Sequence, residues 1–355
     1  MRASAPDAAS VERFRSDFEA VLGRPLAADE RIGLAVSGGP DSMAMLALAA
    51  AALPAQVIAA TVDHGLRAES ADEAAMVAHY CAMAGIAHQT LRIAIPPNAG
   101  DNIQAWARQE RYKLLRSWAV EAGAASLATA HHADDQAETF LMRAARGSGL
   151  SGLAAVRARQ DVDVTMHVVA AESSGTTTLA LHGKSLCLVR PLLSWRHHDL
   201  VAIVDALGLP FVDDPSNSDD RFDRTRFRHL LAEAPWIDPV QIGRSAANLA
   251  EVDADLRAIS QWLWQGRGLL SAGDIEANFD VSGLPRAVRR YLARMAIDHV
   301  IMMNGMGGGH WFPNSNIESL LDALEAGKGA THAEVMASAK GDVWYFREAP
   351  PRRSH

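Results

Sequence analysis

At 355 residues, 49% apolar and 21% charged, the chain has material for two or three domains with a real core. Its net charge of −8 argues against a uniformly basic nucleic-acid binder, and its two cysteines, Cys81 and Cys187, provide neither a disulfide framework nor a cysteine zinc cluster. The longest apolar run, Met43 to Leu53, is too short to span a bilayer, and residues 1–14 lack the apolar core of a signal peptide, so the expected setting is a reducing cytoplasm without a membrane partner.

Ile32 to Val36 predicts a first strand, and an Ala- and Met-rich helix follows from Met43 to Leu53. Between them lies Ser37-Gly38-Gly39-Pro40-Asp41-Ser42. A strand, a glycine turn and a helix N-terminus form an anion-binding arrangement. The two glycines permit close approach of the backbone, and the serines add hydroxyl donors. The spacing and lysine of a Walker A loop are absent. Asp41 could serve the helix macrodipole alone, but a carboxylate inside an anion site suggests a bridging Mg²⁺.

Val57 to Val62 predicts the second strand, ending in Asp63-His64-Gly65. Ala71 to Ala84 reads as a helix stopped by Gly85, His88 to Ile95 as a short strand, and Ile103 to Ala122 as a helix closed by Gly123. Ala125 to Ala130 is a buried strand, and His131-His132-Ala133-Asp134-Asp135-Gln136-Ala137-Glu138 runs from its end into a helix reaching about Arg146. Strands alternating with helices predict βαβ units: an α/β fold with a doubly wound parallel sheet. Ligands in such sheets lie beyond the carboxyl ends of the strands, where these three motifs fall. Acids in a first helical turn suit the macrodipole without any chemistry, but the two histidines before them call for another explanation. A histidine and a carboxylate at a strand end can accept protons or hold a cation.

Residues 160–184 read as a polar hairpin insertion of unassigned role. Two basic runs stand out on the acidic chain. Arg108 to Arg116 holds three arginines, Lys113 and one acid, Glu110, and Arg221 to Arg228 holds four arginines and one acid, Asp223. The commoner fate of such runs is a solvated helix face. Further on, amphipathic helices are predicted at Ile242 to Trp264, Arg286 to Met303 and Ile317 to Ala326, with Trp262 and Trp264 read as core. Arg286, Arg289, Arg290 and Arg294 share a helical spacing that could face phosphate or water, and the glycine-rich stretch from Met302 to His310 reads as a loop.

Several segments together resemble the tRNA(Ile)-lysidine synthase family, within the PP-loop superfamily of enzymes that split ATP between the α and β phosphates. They are Ser37 to Ser42, Asp63-His64-Gly65-Leu66-Arg67, Arg108-Gln109-Glu110-Arg111-Tyr112, His131 to Thr139, Arg146-Gly147-Ser148-Gly149, Arg190-Pro191-Leu192-Leu193 and Asp214-Pro215-Ser216-Asn217 with its arginine cluster. The loop is superfamily-wide, whereas the Asp214 segment selects the family. The likeness is clear over residues 31–232 and weaker beyond.

The resemblance implies a Rossmann-like PP-loop domain over residues 1–215, an arginine-rich linker over 216–235, and a smaller, mainly helical substrate-binding domain over 236–355. It also implies an ATP-dependent ligase. The enzyme adenylates carbon 2 of the wobble cytidine of tRNA(Ile) bearing a CAU anticodon, releases pyrophosphate, and lets free L-lysine displace AMP. ATP would be bound by Ser37, Gly38, Gly39, Pro40, Asp41, Ser42, Asp63 and His64, with Asp41 holding Mg²⁺. Asp135 would act on the lysine, with His131 or His132 assisting; spacing leaves the choice open. Arg111 would steady the α-phosphate, unless it is a surface arginine lying over Trp106 or Trp118. Arg224, Arg226 and Arg228 would contact tRNA phosphates, and Arg226 could also reach the α-phosphate. Self-association into a homodimer is left open. A tRNA 2-thiolation enzyme would share the loop but commonly carries paired cysteines, and no C-x-x-C occurs here. An ammonia-using amidoligase would need a glutaminase partner. An inert RNA-binding module would not need acids at each strand end.

Overall fold

A computed structural model of the chain describes residues 5–65, 69–94, 102–172, 175–212, 223–267, 275–306, 311 and 315–350. Asp214-Pro215-Ser216-Asn217, Arg221, Leu66 and Arg67, and Gly307 to His310 lie outside the described residues. The chain divides into two units, Met1–Gly147 with Ala155–Ala247, and Ser148–Ala154 with Asn248–His355.

The first unit is built on strands β1 (Arg31–Ala35), β2 (Val57–Asp63), β3 (Ala87–Arg92), β4 (Ala124–Thr129), β5 (Arg159–Glu172) and β6 (Gly175–Val189). They form one sheet in the order β3-β2-β1-β4-β6-β5. All neighbours are parallel except β5, which returns antiparallel along β6. Its helices are α1 (Ala8–Leu22), α2 (Pro40–Ala52), α3 (Ser70–Ala84), α4 (Ile103–Glu121) and α5 (Ala133–Ala145), followed by α7 (His197–Leu207) and α8 (Asp223–Glu233). The one-turn helix α6 (Leu150–Leu153) falls in the second unit.

Alternation along the strands feeds two cores, as a sheet covered on both faces requires. Ile32, Leu34, Ala128 and Val189 join Phe14, Phe18, Leu48 and Trp195 on one side. Leu127 and Leu188 join Tyr112, Leu115 and Trp118 of α4 on the other. Helix α2 lies inside the first core and is buried almost all round, so its sequence carries no polar stripe. The doubly wound sheet is therefore as the periodicity predicts. The hairpin at 160–184 is formed by β5 and β6, and just beyond it β6 pairs with β4 from Ser126↔Cys187 to Ala128↔Val189 and extends the sheet. Helix α1 has no counterpart in the sequence reading, yet Phe14, Phe18 and Leu22 fill the core from it.

Helix α9 (Pro239–Arg267) starts in the first unit and continues in the second. The second unit adds β7 (Ala277–Asp280), α10 (Arg286–Met303), α11 (Glu318–Glu325), β8 (Ala330–His332), β9 (Val335–Lys340) and β10 (Val343–Glu348). Its four strands form an antiparallel sheet in the order β7-β10-β9-β8. The smaller unit is mainly helical as expected, and it also carries this antiparallel sheet, which the sequence reading does not anticipate. Strands of three to six residues are too short to show a period of two convincingly. Phe279 stacks on Phe346 at 5.7 Å, and Trp344 completes that core. Trp264 packs on Phe279 at 5.8 Å as expected, but Trp262 is 71% exposed.

The arginines of α10 are tied to α11. Arg286 meets Glu318, Asp322 and Glu325, and Arg290 meets Glu318 at 2.6 Å. The described part of segment 216–235 is α8 with the turn after it, inside the first unit.

Leu48→Ala in α2 should cost about 2–5 kcal/mol, read as a lower urea midpoint, because Leu48 is fully buried. Met83→Ala, at a side chain 75% exposed, should stay within about 0.5 kcal/mol. Equal effects would contradict the burial of α2.

Candidate active site

In the order β3-β2-β1-β4, the chain reverses direction across the sheet between β1 and β4. A crevice opens at such a switch point, outside the carboxyl ends of the strands. The loop after β1 and the turn after β4 meet there.

The first loop is shaped for an anion. Gly38 has φ +89°, a backbone that L side chains rarely adopt, although a Cβ there would meet Met76 and Val77 only in ordinary contact at 3.4 and 3.5 Å. Gly39 caps α2 without any side-chain bond, and Pro40 occupies the first turn, where its missing N–H is no loss. The Ser37 N–H donates to Ser42 Oγ at 3.2 Å, and Ser42 Oγ donates to the Gly39 carbonyl at 2.9 Å. The serines therefore brace the loop, and the uncapped N-terminus of α2 is left to a ligand. The Val212 N–H donates to the Gly38 carbonyl at 2.9 Å and holds the loop from outside.

Asp63 faces its own turn. Its Oδ1 accepts from Ser70 Oγ at 2.6 Å and from the Gly65 N–H at 3.0 Å, and the Ser70 bond with the Gly65 bond keeps its pKa low. Neighbouring His64 is half-buried.

The turn after β4 supplies the centre. His132 is 4% exposed and lies among three carboxylates: Nε2 is 3.5 Å from Asp41 and from Asp135, and Nδ1 is 3.6 Å from Asp134. Burial disfavours the cation, but Asp134 and Asp41 outweigh it and push the pKa up to about 10. The surrounding carboxylates thus favour the imidazolium form of His132. The Asp135 N–H donates to His132 Nδ1 at 3.4 Å, the longer half of a capping box. The reverse bond, from the His132 N–H to Asp135 Oδ2 at 3.1 Å, completes it. Asp41 and Asp134 are partly buried, yet His132 with His197, and His132 with Arg196, hold them well below the usual carboxylate range.

Two residues of this centre are invisible in the sequence reading. His197, at the start of α7, donates Nδ1–H to Asp41 Oδ1 at 2.8 Å, and its pKa is raised by that bond. Arg196 grips Asp134 through Nε and NH2 at 3.1 and 3.0 Å. No motif spacing marks them, because they come from a helix over 60 residues away in sequence. Asp41, His132 and His197 each present one ligand atom within 4.8 Å of the others. Two imidazoles suit a transition ion; a hard ion such as Mg²⁺ would rest on the Asp41 oxygens with substrate phosphates completing its shell.

His131 differs from its neighbour. Burial, then Arg190, Arg108, Arg224 and Arg111, drive its pKa well below 6.5, and Thr129 Oγ1 lies 2.9 Å from its Nδ1. It is a neutral imidazole. Burial pushes the Asp135 carboxyl upward, against His132 and Arg224, which favour its charge. Arg224 contacts Asp135 and reaches the buried Glu138 at 2.5 Å, while Arg228 meets Glu138 at 2.8 Å. Two of the three arginines expected on tRNA phosphate therefore face the acids of α5. Arg226 is exposed and lines a cavity of about 440 Å³ with Met142, Ala145, Arg146, Phe227 and Leu230. Arg111 is exposed on α4, beside Tyr112.

These features define a PP-loop ATP-binding protein, and residues 10–234 match the PP-loop domain family. The tRNA(Ile)-lysidine synthase of Novosphingobium aromaticivorans is 40% identical over 97% of this chain and 95% of its own length. That of Zymomonas mobilis is 39% identical over 96% and 94%. The chain belongs to the tRNA(Ile)-lysidine synthase family. A U34-tRNA thiolase from Methanococcus maripaludis is similar in structure, with a TM-score of 0.54 at 18% identity over 68% of this chain and 79% of its own, a likeness of fold alone. No helix among the described residues is long and apolar enough to cross a membrane.

The imidazolium has a pH signature. A raised folded-state pKa contributes stability that is complete below the unfolded value near 6.5 and is lost as pH rises toward about 10. The stability difference between the wild type and His132→Gln should therefore be largest below about pH 6.5 and shrink up to about pH 10. A difference that does not vary with pH would mean that His132 is neutral.

Proposed function

We propose that this chain adenylates carbon 2 of the wobble cytidine in a CAU-anticodon tRNA(Ile) and passes the activated base to free L-lysine, at the β1–β4 switch point. The reading is carried by one observation: an uncapped phosphate loop and three carboxylates converge on a single buried imidazole there. ATP, the co-substrate, seats its phosphates on residues 37–42. The cytidine O2 attacks the α-phosphorus and pyrophosphate leaves, its oxygens facing the α2 N-terminus, His132 and His197. Asp41 would hold Mg²⁺ if one is bound, which would neutralise the pyrophosphate oxygens. In this reading Arg111 and the neutral His131 would donate hydrogen bonds to the α-phosphate.

In the second step the lysine amine attacks carbon 2, the C–O bond to AMP breaks, and the amine gives up a proton. The protonated His132 has no lone pair to take it, and His131 is a weak base. Asp135 fills that role, since burial raises its basicity. Arg224 and Arg228 then act as positioning residues for Asp135 and Glu138, and Arg226 remains the tRNA-facing member of the cluster. Asp63 supports the loop after β2, beside which the nucleoside would lie. A sulfur-relay reading is disfavoured: burial pushes the Cys81 thiol up to about 11 and raises that of Cys187, so neither is an activated thiolate.

Pyrophosphate release from ATP, with tRNA and lysine supplied or omitted in turn, tests the reaction; release that needs neither would refute it. Asp41→Asn should lower turnover by at least about a hundredfold. It is the conservative choice, because Asp41 also anchors two histidines. With Asp135→Asn, label from the α-phosphate should accumulate on tRNA. Lysine adenylate as the labelled species would overturn the order of steps.

A further inference from the structure

Apart from Arg111, the arginines of the basic run at Arg108 to Arg116 have no assigned part in the reaction proposed above. Helix α4 turns three of its arginines around one ring: Arg108, Arg111 and Arg116 place their guanidinium carbons 5.1, 5.7 and 5.5 Å from the Tyr112 centroid. Arg190, directly after β6, also interacts with Tyr112. It is 6% exposed and donates NH1–H to the Arg157 carbonyl at 2.5 Å. The Nε groups of Arg190 and Arg116 are both buried without a hydrogen-bond partner.

None of these four arginines has a carboxylate partner among the described residues. The contrast within the molecule is sharp. Arg24, Arg196, Arg224, Arg228, Arg257, Arg286 and Arg290 are each paired with an acid. Burial, with Arg108 and Arg116 nearby, destabilises the Arg190 cation, and Arg108 and Arg157 act in the same sense on Arg143. Gathering like charges around a buried Arg190 without counter-charge is costly unless an anion completes the site. The cations also extend along a helix face, with Arg108 and Arg111 exposed. A row of that kind suits successive phosphates of a strand better than one isolated anion.

We propose that Arg108, Arg116 and Arg190, gathered around Tyr112, bind backbone phosphates of the RNA substrate next to the target nucleotide. The inference rests on the RNA-modifying reading above and places the main electrostatic contact on α4 rather than on the Arg224–Arg228 segment. The guanidinium groups fix the strand, and discrimination of the base is left to the strand-end pocket. Nucleotide phosphate, the other source of the same anion, already has the loop at residues 37–42.

The test uses the full chain with Arg108→Gln, Arg116→Gln and the charge-keeping Arg116→Lys. Binding of a CAU-anticodon tRNA is measured by filter retention across a salt series, and the KM for ATP by pyrophosphate release. Each glutamine variant should weaken RNA binding about tenfold and flatten the log–log salt slope by about 0.7–0.9. Arg116→Lys should restore most of the slope, and the KM for ATP should change less than about twofold. If the wild type modifies the tRNA but both glutamine variants keep its affinity and slope, the RNA site on α4 is refuted and the enzymatic reading stands. A raised KM for ATP with RNA binding intact would assign the cluster to nucleotide phosphate instead. A wild type that neither binds nor modifies the tRNA would remove both readings. Loss of slope that Arg116→Lys fails to restore would point to damaged packing around Tyr112 and would also count against the proposal.

Discussion

The pairing of a buried His132 imidazolium with three carboxylates is the interaction on which the rest of the site depends. It joins loops that leave different strands: Asp41 comes from the start of α2, and Asp134 and Asp135 from the start of α5. Removing any one partner would leave charge in a poorly solvated place, which costs more than the pairing contributes. The arrangement therefore fixes the relative position of the phosphate loop and of the acids. Arg196 and His197 lock it from the third side, through Asp134 and Asp41. A site held by charge pairs also resists collapse when no substrate is bound, so the geometry exists before the ligand arrives.

The two neighbouring histidines show how environment divides identical side chains. His132, among carboxylates, is favoured as a cation; His131, among arginines, is held neutral. One strand end thus offers both a fixed positive charge and an uncharged hydrogen-bonding ring, about one residue apart in the chain. Asp135 sits between these fields, and burial moves it toward greater basicity. That separation of acid and base character is what a two-step transfer needs from groups of the same kinds.

Charge elsewhere follows a similar logic. An overall charge of −8 says little about partners when the cations are sorted into paired and unpaired sets. Arg286, Arg289 and Arg290 of α10 are absorbed by Glu318, Asp322 and Glu325 of α11, and Arg294 donates to the Ser315 carbonyl, so the stripe belongs to the second unit's own architecture. Arg224 and Arg228 likewise pair with the acids of α5, whereas Arg108, Arg111 and Arg116 of α4 gather around Tyr112 with no acid partner among the described residues. Runs of equal charge and similar spacing in sequence thus have opposite fates in the folded chain.

The sequence by itself determined the α/β alternation of the first 130 residues, the phosphate loop at residues 37–42 and the acid-bearing turn after β4. Each is a local signal: a hydrophobic period, a glycine turn, or a motif read over a few residues. Helix α1, the sheet of the second unit and the extension of the main sheet by β6 were not legible, because short strands and a mixed-charge helix acquire their identity from what covers them. Asp63 and His132 were both visible as strand-end residues, but one serves its own turn and the other the centre of the site. Only the tertiary structure brought His197 to Asp41, decided which histidine carries the proton, and separated paired from unpaired arginines. Those outcomes depend on distance and burial between elements far apart in the chain, and electrostatic energy is set by that separation and not by sequence spacing.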